Sequence, residues 1–137
     1  MSQLNVVNLV RFTLGFVWIY QGLFPKILTI APLEWQLSSS IGLSAGQTFW
    51  FIKLAGVSEI IFGVLIICFY KSALLMALNI VALIGLIIFT GLFMPAFLIE
   101  AFNPVSTNIP CITLGLYLLI CAKERKWPPA RDIHKLQ

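Results

Sequence analysis

Long apolar runs separated by short polar interruptions fill most of the chain. By hydrophobic pattern they cover about residues 5–24, 48–70, 73–94 and 104–121. A helix that spans a bilayer needs about 20 mostly apolar residues. The pattern therefore predicts an all-α protein, an integral membrane four-helix bundle occupying residues 1–122, followed by a tail at 123–137. The interruptions carry turn and cap signals. Pro25-Lys26 ends the first run, and Pro32 and Glu34 open a short amphipathic stretch through Trp35 and Leu37. Proline suits a first helical turn, so a short helix lying in the outer interface is expected there, broken by Ser38-Ser39-Ser40 and Gly42. Lys71-Ser72 is a tight turn in which Ser72 caps the third helix, and Asn103-Pro104 supplies a cap and a first-turn proline for the fourth.

Composition agrees. The chain has 137 residues, of which 60% are hydrophobic and 10% charged, against about 25% charged in soluble domains. The long first run, with Arg11 and Pro25 inside or beside it, does not read as a cleavable signal peptide. Charge sets the expected orientation. Five of the nine basic residues (Lys123, Arg125, Lys126, Arg131 and Lys135) follow the last run. Lys71 shares their side of the membrane, while Lys26, Glu34 and Glu100 fall on the other. The basic side is expected to be cytoplasmic, with both termini there. The tail reads as an anchor that favours anionic headgroups, and no motif accompanies it that would indicate nucleic-acid binding.

Charged residues inside a span are costly unless paired or wet, and each marks a candidate site. Arg11, Gly15, Trp18, Gly22 and Pro25 share one stripe of the first helix; Gly56, Glu59 and Gly63 share one of the second. Glycine lets helix backbones approach closely, so the two stripes are expected to face each other. At 1.5 Å per residue Arg11 sits roughly 10 Å and Glu59 roughly 16 Å from the inner end. An intramembrane ion pair between Arg11 and Glu59 is the expectation. A second polar group lies toward the outer face: Gln21, Lys26, Lys53, Glu100, Asn103, Ser106 and Asn108, with Trp18 and Tyr20 nearby. It is expected to form an outward-facing ligand pocket. Ser106, Pro110, Thr113 and Tyr117 give the fourth helix a polar stripe expected to face inward, and Asn79 and Thr90 are expected to make interhelical hydrogen bonds. Five residues of the first span's end, Gln21-Gly22-Leu23-Phe24-Pro25, echo Thr90-Gly91-Leu92-Phe93-Met94-Pro95 and hint at a duplicated hairpin.

Several chemistries lack their residues. Cys68, Cys111 and Cys121 contain no C-x-x-C and are expected as free thiols filling helix interfaces. No catalytic triad, phosphate loop or metal-spaced cluster can be assembled, and the single histidine, His134, lies in the tail.

Three segments, Trp18 to Lys26, Gly56 to Gly63 and Phe102 to Asn108, resemble the DoxX-like family in order and spacing. The resemblance implies a bacterial inner-membrane four-helix bundle. One protein that the resemblance brings in is the small membrane subunit of a thiosulfate:quinone oxidoreductase, and other relatives associate with redox partners. It marks Gln21, Lys26, Glu59, Asn103 and Asn108 as motif positions, while the missing dithiol departs from cysteine-bearing relatives. The function expected is an accessory or redox-associated subunit that binds a quinone-like or lipid ligand, with a redox partner protein or a homo-oligomer as possible assemblies. The alternatives are a non-catalytic membrane scaffold and a small oligomeric proton-coupled transporter using Glu59.

Overall fold

The structure is a computed structural model that describes residues 3–101 and 103–124. Helix α1 (Gln3–Gly22) runs without a break into a π-helical turn, Leu23–Leu28. It is followed by α2 (Pro32–Ser39), α3 (Ala45–Cys68), α4 (Ala73–Phe93), a 3-10 turn (Pro95–Leu98) and α5 (Pro104–Lys123). There is no strand among the described residues. Four segments are long and apolar enough to cross a membrane: Asn5–Leu28, Ala45–Cys68, Ala73–Phe93 and Pro104–Lys123. Arg125, Lys126, Arg131, His134 and Lys135 of the basic tail lie outside the described residues, as does Phe102.

Local chemistry fixes the ends. Ser44 and Gln47 form a capping box, so α3 starts at Ala45, a turn earlier than hydrophobicity alone indicates. Ser72 accepts from the Leu75 N–H at 3.3 Å and Asn103 from the Ser106 N–H at 2.9 Å, as helix caps do. Pro25 does not terminate α1. It has no N–H to give to a helical hydrogen bond, and the backbone accommodates it by widening into the π-turn. The Thr29 N–H and hydroxyl both donate to the Phe24 carbonyl, at 3.2 and 3.0 Å. As a result Lys26 remains helical and is carried inward, 8% exposed.

The helices form two antiparallel pairs. α1 packs along α3 and α4 along α5, and contact between α1 and α5 joins the pairs. α3 and α4, though consecutive, hardly approach each other. Val7, Val10, Leu14, Trp18, Ile66, Met76, Leu83, Cys111 and Leu118 make up the core. No more than about a third of each membrane-spanning stretch is buried, so most apolar side chains point outward. Leu54, Leu74 and Leu92 are examples. This arrangement requires an apolar surround, which the bilayer supplies.

The α1–α3 seam is built on glycine. Gly15 meets Gly63 and Gly22 meets Gly56; a Cβ on Gly56 would lie 2.8 Å from the Gly22 carbonyl, and one on Gly63 2.6 Å from that of Gly15. The expected glycine-bearing stripes do face each other. On α5 the expectation fails: Ser106, Pro110 and Thr113 are exposed and Tyr117 is half-buried. The buried face holds Cys111, Gly115 and Leu118 instead, because Gly115 is where α5 receives the Asn79 amide of α4. All three cysteines are free thiols, with Cys111 buried, Cys121 half-buried and Cys68 exposed. Cys111 packs in the core, whereas Cys68 does not fill an interface.

Gly56→Ala and Gly63→Ala are each expected to destabilise the fold by about 1–3 kcal/mol through forced separation of α1 and α3. Gly85→Ala, with open space around its Cβ, is expected to be neutral or to stabilise by up to about 1 kcal/mol. Thermal unfolding in detergent distinguishes the two classes.

Candidate functional site

At the centre of the polar interior is Lys26. The π-turn directs its ammonium to Glu59, with Nζ 2.9 Å from Oε1 and 2.8 Å from Oε2. A third contact, 3.2 Å, reaches Glu34 Oε1 on α2. An ammonium has three protons, and each has a carboxylate oxygen. The Lys26 and Glu59 side chains are 10% and 13% exposed, so this is a largely desolvated pair, with Glu34 more open at 26%. Lys53 makes a separate contact, donating to the Ile27 carbonyl at 2.8 Å. It thereby satisfies an acceptor that the end of the π-turn releases.

The expected Arg11–Glu59 pair does not form. Gly15 lies against Gly63 and Gly22 against Gly56, so Arg11 is level with Ile67, eight residues and about 12 Å of helix from Glu59. That gap exceeds the difference in depth expected from hydrophobic boundaries, because α1 begins well before the turn after α3. The Arg11 guanidinium instead packs on aromatic rings, 4.3 Å from the Tyr70 centroid and 4.7 Å from that of Phe12. Lys26 is the acid's partner. It was legible as a candidate, but its helical placement was not, because Pro25 reads as a helix end.

The other expected pocket residues are divided. Lys26 and Lys53 belong to the α1–α3 side. Asn103 caps α5, accepting from Ser106 and donating to the Glu100 carbonyl at 2.8 Å, while the Ser106 hydroxyl donates back to the Asn103 carbonyl at 3.0 Å. Glu100 and Gln21 are exposed and Asn108 is half-buried. No contact joins the Asn103 group to Lys26 or Lys53 among the described residues, so these side chains do not assemble one outer pocket. The chemistry of a helix cap accounts for the Asn103 group.

A cleft does exist, nearer mid-span. It has a volume of about 320 Å³ and lies where α3 and α4 diverge, lined by Trp18, Ser58, Glu59, Phe62, Leu78 and Ala82. Trp18 forms its inner wall, edge-on to Phe62 with centroids 4.9 Å apart. The indole N–H donates to the side-chain Oδ1 of Asn79 at 2.7 Å, the interhelical bond expected of Asn79. Thr90 bonds only within its own helix, to the Leu86 carbonyl. Ser58 likewise gives its proton to the Ala55 carbonyl, at 2.7 Å. Glu59 thus links the ion pair to the cleft. No group of three or more His, Cys, Asp or Glu able to hold a metal occurs among the described residues.

Lys26→Met leaves the buried Glu59 carboxylate without its partner and is expected to destabilise by about 3–5 kcal/mol. Arg11→Met, which removes only ring contacts, should lose no more than about 2 kcal/mol. Combining Lys26→Met with Glu59→Leu should restore much of the lost stability, as read by thermal unfolding.

The sequence profile of the DoxX-like family matches residues 15–116, well over half of the chain. No curated protein matches the chain, and no solved structure does. The matched span contains the glycine seam, Lys26, Glu34, Glu59 and all the residues of the cleft, and it leaves Arg11 outside. With four apolar helices long enough to cross a membrane and a profile match over that span, the chain belongs to the DoxX-like family and is a multi-pass membrane protein.

Proposed function

We propose that the protein binds a lipid-soluble quinone-type molecule, in its reduced hydroquinone form, in the cleft between α3 and α4. The observation that carries this reading is the Glu59 carboxylate at the polar end of a cleft whose other walls are Trp18, Phe62, Leu78 and Ala82. Flat aromatic and aliphatic walls suit a ring, and the divergence of α3 from α4 gives an isoprenoid-like tail a path from the bilayer. The hydrogen-bond inventory sets the redox form. Donors at the site are already committed: the Trp18 N–H to Asn79, the Ser58 hydroxyl to Ala55, and the Lys26 ammonium to Glu59 and Glu34. What the cleft offers a ligand is acceptors, the oxygens of Glu59 and Ser58. A hydroquinone donates hydrogen bonds and a quinone only accepts them, so the reduced form is the better match.

Such a protein acts as a membrane subunit that holds the quinol for a redox partner, in the bacterial inner membrane. The positive-inside rule supports cytoplasmic termini: Lys71 and Lys123 fall at one end of the bundle, Lys26 and Glu34 toward the other, and the sequence after Lys123 is rich in Lys and Arg.

Ligands that bind only the folded state raise its melting temperature. A short-chain quinol kept reduced under anaerobic conditions is expected to raise the Tm of the purified protein more than the same molecule oxidised. Ala82→Phe, which fills the cleft from the α4 side and keeps Lys26 and Glu59 themselves in place, should abolish the shift. Equal shifts from both redox forms, no shift, or a shift that Ala82→Phe leaves intact would contradict the proposal.

A further inference from the structure

Asn79 of α4 is fully buried, and its amide touches two other helices. On one side Oδ1 accepts from the Trp18 indole N–H of α1, at 2.7 Å. On the other, Nδ2 fills the notch that Gly115 leaves in α5, where a Cβ would collide with it. Trp18 fixes which way the amide faces. An indole N–H can only donate, so the amide atom in front of it is the oxygen, and the nitrogen is turned toward α5. There Nδ2 is buried and has no acceptor. A buried donor left unpaired costs at least as much as an average hydrogen bond returns. The amide therefore adds no net stability to the packing of α4 on α5. Its useful atom is the oxygen, and the oxygen acts on Trp18.

That contact bears directly on the cleft. Asn79 adjoins Leu78 and lies one helical turn before Ala82, the two α4 residues of the lining, and Trp18 is the lining residue from α1. Two side chains of the lining carry a hydrogen-bond donor, Trp18 and Ser58. Ser58 gives its proton to a backbone carbonyl of its own helix, an acceptor that no side-chain substitution removes. The Trp18 N–H is held by one side chain, that of Asn79.

We infer that Asn79 is the positioning residue that sets which redox form the cleft accepts. By occupying the Trp18 N–H it leaves acceptors facing the ligand, and so disfavours a ring that can only accept hydrogen bonds. This assignment rests on the quinol reading of the cleft and names the residue that enforces it. Without the amide oxygen, the indole N–H becomes a buried donor with no partner at the wall of the cleft. A quinone carbonyl is the stronger acceptor for it, so the oxidised ring gains more than the reduced one.

The full chain in detergent is titrated with decylubiquinone, oxidised or kept reduced under anaerobic conditions, and the ratio of the two dissociation constants is read. The wild type is expected to favour the reduced form. Asn79→Leu, close to the amide in size, should lower that preference about fivefold, the worth of one hydrogen bond. Adding Trp18→Phe to Asn79→Leu removes the freed donor and should return the ratio toward the wild-type value. A general loosening of the helices would not be reversed in this way. Without ligand, the Trp18 indole ¹⁵N–¹H resonance should move upfield in Asn79→Leu as its hydrogen bond is lost. Gly115→Ala, which displaces the amide from the α5 side, should lower the ratio in the same direction and serves if Asn79→Leu does not fold. An unchanged ratio in the folded variants, or a lowered ratio that Trp18→Phe does not return, would overturn the inference and leave the quinol reading intact. A wild type that binds neither form, or both equally, defeats the quinol reading and the inference with it.

Discussion

Close contact between α1 and α3 at paired glycines is the constraint on which the other features depend. In a bilayer, helices gain little from hiding apolar side chains, since lipid is as apolar as leucine. Association rests on shape, and Gly15, Gly22, Gly56 and Gly63 provide a shape that only one register satisfies. Sliding α3 along α1 would put Ile19, Ile60 or Ile67 where a glycine is required, because each of these already packs into a glycine notch. The register then assigns partners to charges. It puts the Cβ of Lys26 against Gly56 and its ammonium on Glu59, and it leaves Arg11 at the level of Tyr70.

A desolvated ion pair adds little stability of its own, since removing two charges from water offsets much of their attraction. Its consequence here is positional. Lys26 ties three elements together: the π-turn on which it stands, Glu59 of α3 and Glu34 of the short helix α2. The carboxylate that borders the cleft is therefore connected, through one ammonium, to the short helix α2. That connection couples the position of the Glu59 carboxylate to α2. Trp18 is joined to α4 through Asn79.

Much of this was legible in the residue order. Twenty-residue apolar runs, Ser72 and Asn103 as caps, and Pro32 opening α2 follow from length and capping rules that tertiary context rarely overturns. The two glycine stripes were also legible, because spacing alone puts Gly15 and Gly22 on one face of α1 and Gly56 and Gly63 on one face of α3. Partner choice was not. It required the relative heights of α1 and α3 to within a turn, and hydrophobic boundaries do not fix them: α1 begins at Gln3, and Lys26 continues a helix that Pro25 should have closed. A proline followed by a π-turn looks, in sequence, like a proline followed by a loop. The polar residues around Asn103 illustrate the opposite error. Asn, Ser and a preceding Glu look like a binding cluster, yet a helix cap accounts for their hydrogen bonds.

The cleft and the exposed aromatic side chains of α1 lie on different faces of the same α1–α3 unit. Trp18 and Glu59 line the opening toward α4, whereas Phe12, Phe16 and Tyr20 are exposed along α1. The cleft requires the glycine register, and the register is best read from the salt link it creates. Dipolar recoupling between Lys ¹⁵Nζ and Glu ¹³Cδ, by solid-state NMR on the protein in lipid, is the most direct measurement. A strong Lys–Glu coupling that vanishes in Lys26→Arg is the expected result. Its absence, or a coupling from Glu59 to the Arg11 guanidinium in its place, would contradict the register and the site built upon it.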